Sequence, residues 1–270
     1  EDIDAGLLAE IGGEIVAVIW HESNGTITFF SSADIGDTWA DEAVDIASGN
    51  GPQGVAVYIG PDNTLKLYVA TREGVWEIDT SAATWTFELI LPMTPHNDNG
   101  RRMTVHNNSL WVPQGVSDDE VFGMYRITHS DGHRTVEYNK TLDGMWLSPA
   151  AGDGLPSTML GPIRWMKSAQ GFLFASGGGG KAGRNAWIIK HNGLGWHKVR
   201  HHGTANQKIA WIDISPDDDG TQRLHYEIRT SSSVSNTKFL ARPLSNPHDN
   251  QAYKFEEDGY IDNPEVNINL

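Results

Sequence analysis

A group of four short apolar segments, separated by turn residues, recurs five times along this chain, and no other feature constrains the fold as tightly. The second group is the clearest. Gly54–Ile59 (GVAVYI) ends at Gly60-Pro61-Asp62-Asn63, and Leu65–Ala70 (LKLYVA) stops at Arg72-Glu73-Gly74. Val75–Ile78 (VWEI) follows, then a Thr/Ser/Ala turn, then Trp85–Leu91 (WTFELIL). Short runs that alternate, bounded by Gly, Pro, Asp and Asn, read as strands joined by hairpins. Almost nothing in the chain carries a helical period.

The other groups follow the same plan. The first comprises Gly6–Ile11, Glu14–Trp20, Thr26–Ser31 and Thr38–Ile46. The third comprises Arg102–His106, Leu110–Val112, Phe122–Thr128 and Arg134–Tyr138. In the fourth stand Ile163–Met166, Phe172–Ser176, Ala186–His191 and Trp196–Arg200, and in the fifth Ile209–Ile214, Arg223–Arg229, Lys238–Arg242 and Tyr253–Glu256. Trp39, Trp85 and Trp196 each open the outermost strand of a group, where a large ring packs between sheets. The expected fold is therefore all-β, a five-bladed β-propeller of four-stranded antiparallel blades. Its blades fall at about 5–47, 52–93, 101–147, 160–202 and 206–258, within a propeller of residues 1–259. Residues 260–270 then form a closing strand or a linker to a following module.

Charge narrows the partners. Thirty-five acidic residues against 20 basic ones give a formal net charge of −15, which repels nucleic-acid backbones and anionic membranes alike. No apolar run is long enough for membrane insertion as a helix. The chain has no cysteine, so neither a disulfide framework nor a thiolate site is available. It opens on Glu1 without a signal-like segment and reads as a processed protein or a piece of a longer one.

Ser32-Ala33-Asp34-Ile35-Gly36-Asp37-Thr38-Trp39 reads S-x-D-x-G-x-T-W. It resembles the Asp-box, the hairpin motif of sialidases and many other β-propellers, and it falls between the third and fourth strands of its group. In such a turn the Asp34 carboxylate accepts backbone N–H bonds, Gly36 takes a positive φ and Trp39 buries its ring. The resemblance implies a structural role for Ser32, Asp34, Gly36, Thr38 and Trp39, and a non-catalytic member of the sialidase-like propellers. Phage, virion and secreted surface proteins carry propellers of this style. The early Phe/Tyr-Arg-Ile-Pro signature of the sialidases is absent.

Other motifs point to no cofactor and no metal. Ser176–Arg184 (SGGGGKAGR) looks like a phosphate loop but lacks the Ser or Thr after Lys181 and a following helix. Asn97-Asp98-Asn99-Gly100 and Asp217-Asp218-Asp219-Gly220 are oxygen-rich turns without the spaced ligands of a calcium loop. Arg101, Arg102 and Arg164, with Arg223, stand at or near innermost strands. The first three are the candidate ligand-binding residues, on a face shared with the loops around Arg72, Asp118, Lys181 and Ser231. The leading expectation is a non-enzymatic interaction or structural domain at an extracellular or virion surface. It would bind a glycan or protein partner, alongside neighbouring modules. The rival is a carbohydrate-active enzyme, a sialidase-like glycoside hydrolase.

Overall fold

A computed structural model describes residues 5–82, 84–118, 120, 122–139, 159–178, 186–192, 196–202, 207–216, 220, 222–230, 238–244, 254–255, 261–262 and 266–268. The chain is all-β, with five four-stranded antiparallel sheets in series, the sheet content of a five-bladed β-propeller. The first sheet holds β1 (Ala5–Ile11), β2 (Glu14–His21), β3 (Thr26–Ser32) and β4 (Ala40–Ala47). The second holds β5 (Gly54–Ile59), β6 (Leu65–Thr71), β7 (Gly74–Asp79) and β8 (Thr86–Pro92), and the third β9 (Thr104–His106), β10 (Ser109–Pro113), β11 (Met124–Ser130) and β12 (His133–Asn139). In the fourth are β13 (Ile163–Ala169), β14 (Phe172–Gly177), β15 (Ala186–His191) and β16 (Trp196–His202).

The fifth sheet departs from the sequence reading. Its members are β17 (Gln207–Pro216), β18 (Gln222–Thr230), β19 (Lys238–Pro243) and β22 (Val266–Ile268). The segment expected as its fourth strand instead contributes β20 (Lys254–Phe255), which pairs with β21 (Ile261–Asp262) as a separate ribbon. Alternation alone cannot choose between two short tail segments that both fit a strand edge.

The chain divides into two compact units. One contains Glu1–Gly115 and Tyr125–Tyr138, the other Val116–Met124 and Asn139–Leu270. In the first unit β1 lies against β5, and β5 against β9, so innermost strands neighbour one another. In the second, β13 lies against β17 in the same way. The middle strands β6, β10 and β14 are buried nearly throughout. Within β6 only Leu65 is exposed, and even Lys66 is covered, its ammonium held by Asp62 at 2.9 Å and Asp79 at 2.6 Å.

Large apolar side chains fill the gaps between sheets. Val18, Ile27 and Phe29 of the first sheet meet Leu67, Val69 and Ile78 of the second, with Phe29 and Trp85 tilted 6.3 Å apart. Between the second and third sheets, Tyr58 and Tyr68 pack with Leu110, Val112 and Ile127. Ile188, Ile209, Ile212 and Leu224 fill the corresponding layer of the second unit. Trp85 and Trp196 are buried, as their positions before or at the start of β8 and β16 predict. Trp39 is not. It stands 44% exposed, lying over Gly36 on the surface, because the turn draws the ring onto itself before β4 begins.

Candidate functional site

In the first unit the candidate residues come from the loop joining β8 to β9. That loop is fastened by Asn99, whose side chain is fully buried. Its amide donates to the carbonyls of Arg72 (2.7 Å) and Thr94 (2.9 Å), and its Oδ1 accepts from Gly115 N (2.9 Å). His96 N also donates to Arg72 O at 3.0 Å, and Gly100 N to Pro113 O at 2.7 Å. The fit leaves no room for side chains below: a Cβ on Gly54 would stand 2.3 Å from Gly100 O. Within the Asn97–Gly100 turn, weighed as a calcium loop, the Asn99 side chain and Gly100 N are committed to internal bonds. Among the described residues no group of three or more His, Asp or Glu side chains is placed to hold a metal.

This tight base presents Arg101 and Arg102 at the mouth of β9. Arg101 is ion-paired with Asp98. Arg102 is exposed, and its backbone adopts φ +54°, a left-handed conformation that non-glycine residues rarely take. Arg102 N donates to Gln53 O, and Met103 N to Gly100 O, both at 3.0 Å, which fixes that conformation. Partial desolvation, then the neighbouring Arg101 charge, hold the Arg102 guanidinium below its ordinary pKa. Nearby, Glu73 accepts Ser48 Oγ at 3.1 Å and lies 3.6 Å from Arg72 Nε.

In the second unit Arg164 occupies the comparable start of an innermost strand. Ile163 pairs with Gly177 and Trp165 with Ser176, so Arg164 is the extra residue of a β-bulge. A bulge re-aims the side chain it carries. Arg164 Nη2 meets Asp118 Oδ1 at 3.3 Å. Asp118 belongs to the segment Val116–Met124, which is seated by Phe122 stacked on Trp187 (4.6 Å) and by Gly161 N donating to Glu120 O at 2.9 Å.

Sequence reasoning grouped four arginines, and the structure describes each within its own unit. Arg101 and Arg102 share one loop of the first unit, whereas Arg164 belongs to the second. Arg223 lies elsewhere on its sheet: it pairs with Ser215 near the end of β17, far along the strand from Gln207 where β17 begins. Lys181, Ser231 and the Asp217–Asp219 run fall outside the described residues. Two features had no sequence signal, the buried fastening by Asn99 and the bulge beneath Arg164. A third, the pairing of Glu77 with Tyr68 (2.6 Å) and Arg134 (2.7 Å), joins residues from three strands that no motif links.

No family profile matches the chain, and no curated protein matches it. Solved structures do. An α-L-arabinofuranosidase from Clostridium thermocellum is 12% identical, with 97% of this chain and 93% of that one covered and a TM-score of 0.40. An endo-1,4-β-xylanase from Bacteroides thetaiotaomicron is 11% identical over 98% of this chain and 95% of that one, with a TM-score of 0.42. An exo-β-1,3-galactanase from Phanerochaete chrysosporium is 10% identical over 89% of this chain and 60% of that one, with a TM-score of 0.45. The leading expectation of a non-enzymatic interaction domain is corrected on this finding, because these structures are carbohydrate-cleaving enzymes. Missing catalytic signatures were its main support, and the absence of one family's signature says nothing of other enzymes.

Proposed function

We propose that this protein is a carbohydrate-active enzyme that cleaves glycosidic bonds in glycans bearing an acidic group. One observation carries the reading. Arg102 and Arg164 each stand where an innermost strand begins, and each sits on an irregular backbone, a left-handed residue in one case and a bulge in the other. Such irregularities persist where the surroundings fix them, and they cluster at ligand sites. A guanidinium so placed suits bidentate recognition of a sugar carboxylate. Asp98 shares the β8–β9 loop with Arg102, Glu73 lies in the β6–β7 turn tied to that loop, and Asp118 and Glu120 belong to the segment between β10 and β11 that Arg164 meets. A pair of carboxyl groups is what acid–base cleavage of a glycosidic bond uses. In this reading the Ser32–Trp39 turn is a folding element of Asp-box type, apart from the chemistry.

A panel of chromogenic glycosides, including uronides and sialosides, tests the proposal. Turnover of an acidic glycoside is expected, with Arg102→Ala and Arg164→Ala lowering kcat/KM by at least about tenfold, the worth of one charge-assisted contact. Absence of turnover across the panel by folded protein would overturn it, as would full activity in both variants.

A further inference from the structure

Four Asn–Gly steps occur in the chain, at Asn24-Gly25, Asn50-Gly51, Asn99-Gly100 and Asn192-Gly193, and Gly193 lies outside the described residues. Such steps are chemically labile because glycine offers the following amide nitrogen least steric cover. Folding decides whether that nitrogen is free to react. At Asn24 it is not: Gly25 N donates to His21 O at 2.9 Å, and Asn24 Oδ1 is engaged by Thr26 N (3.1 Å) and Thr26 Oγ1 (2.6 Å). At Asn99 it is not either, since Gly100 N donates to Pro113 O at 2.7 Å and the Asn99 amide is fully committed.

Asn50 is arranged the opposite way. Gly51 N–H donates to Asn50 Oδ1 at 2.9 Å, within the step itself, and this bond holds the nitrogen one bond from the carbonyl carbon it would attack. The loop is held in this posture by Ser48, whose hydroxyl donates to Asn50 O at 2.7 Å. We propose that Asn50 is a site of spontaneous modification, where the Asn50-Gly51 step closes to a succinimide and opens to aspartate or isoaspartate. Gly51 N, on a buried glycine, gives up its proton to hydroxide and forms a bond to Asn50 Cγ, the Cγ–Nδ2 bond breaks and the amide nitrogen takes a proton from water to leave as ammonia. Water then opens the ring at either carbonyl, so the net reaction consumes one water and releases one ammonia. The product adds a carboxyl group to the loop that leads into β5, close to Glu73, which bonds Ser48 Oγ and Gly49 N. Two like charges there weaken that fastening.

The test is incubation of the full folded chain in mildly alkaline buffer, with fragmentation mass spectrometry and enzymatic isoaspartyl labelling to place the change. A gain of about 1 Da per event, the difference between an amide and an acid, marks each site. Asn50 is expected to react several-fold faster than Asn24 and Asn99 in the folded protein, and all three at similar rates in urea. Asn50→Gln, whose longer side chain lacks the five-membered closure, is expected to lose the fast-forming product. Asn24 or Asn99 reacting as fast as Asn50 in the folded protein, or an unmodified Asn50, would overturn the proposal.

Discussion

Four hydrogen bonds made by side chains hold the Ser32–Thr38 turn, and three of them end on Asp34. Its carboxylate accepts Ser32 Oγ (2.8 Å), Thr38 N (2.8 Å) and Thr38 Oγ1 (2.7 Å), while Gly36 N donates to Ser32 Oγ at 2.7 Å. The Thr38 hydroxyl, then the Thr38 backbone and Ser32, hold the Asp34 pKa at about 2, below its ordinary 3.8. A carboxylate with a depressed pKa stabilises the folded state above its unfolded value, and that contribution fades as pH falls from 3.8 through about 2. An NMR titration of the Asp34 carboxyl carbon is expected to show a midpoint near 2, and a midpoint at 3.8 would refute the assignment. Asp34→Ala is expected to lower the melting temperature, with Asp34→Asn falling between it and the parent. The turn was legible because each residue acts on its immediate neighbours. The surface position of Trp39 was not, since ring burial depends on where β4 starts.

Between elements, the connecting loops are fixed by buried polar groups. Asn99 ties the β8–β9 loop to the β6–β7 turn and to the residues after β10, with all three bonds inside a fully buried side chain. Asn99→Ala strands the Thr94 carbonyl and the Gly115 N–H and leaves the Arg72 carbonyl with His96 N alone, and is expected to cost about 3 kcal/mol. Urea unfolding measures this, and a loss under about 1 kcal/mol would contradict the fastening role. Strands were readable from the sequence because an alternating pattern and a turn residue are local signals. Bulges were not. Inserting Arg164 in β13 or Ala210 in β17 shifts the register by one residue without changing composition, and only the partner strand reveals it. The same limit applies to the fifth sheet, where Val266–Ile268 rather than Tyr253–Glu256 fills the fourth position.

At the scale of the whole molecule, ionisation sets two acid-sensitive ranges. Burial pushes His106 and His129 below the ordinary 6.5, and in His129 the Arg134 charge adds to the effect while Glu77 and Asp62 oppose it. The His129 ring stands edge-on to Tyr58 at 5.3 Å and Tyr68 at 6.3 Å, between the second and third sheets. A histidine with a lowered folded pKa favours the folded state above its unfolded value, so stability declines as pH falls below 6.5. Asp34 and Asp79, both held at about 2, and Asp62, held lower still, add a second decline as pH falls below 3.8. Thermal melts across this range are expected to show both, and His129→Phe, which keeps the aromatic packing, is expected to flatten the upper one. An unchanged upper slope would remove His129 from the account. The division of the chain has a consequence for synthesis. Val116–Met124 belongs with residues made later, whereas Tyr125–Tyr138, which follows it, belongs with residues made earlier. A ribosome therefore releases the stacking partner of Phe122, Trp187, only after the strands on either side of Phe122 have already emerged. During that interval an aromatic side chain waits uncovered, and a nascent chain halted before residue 187 is the form most exposed to chaperones.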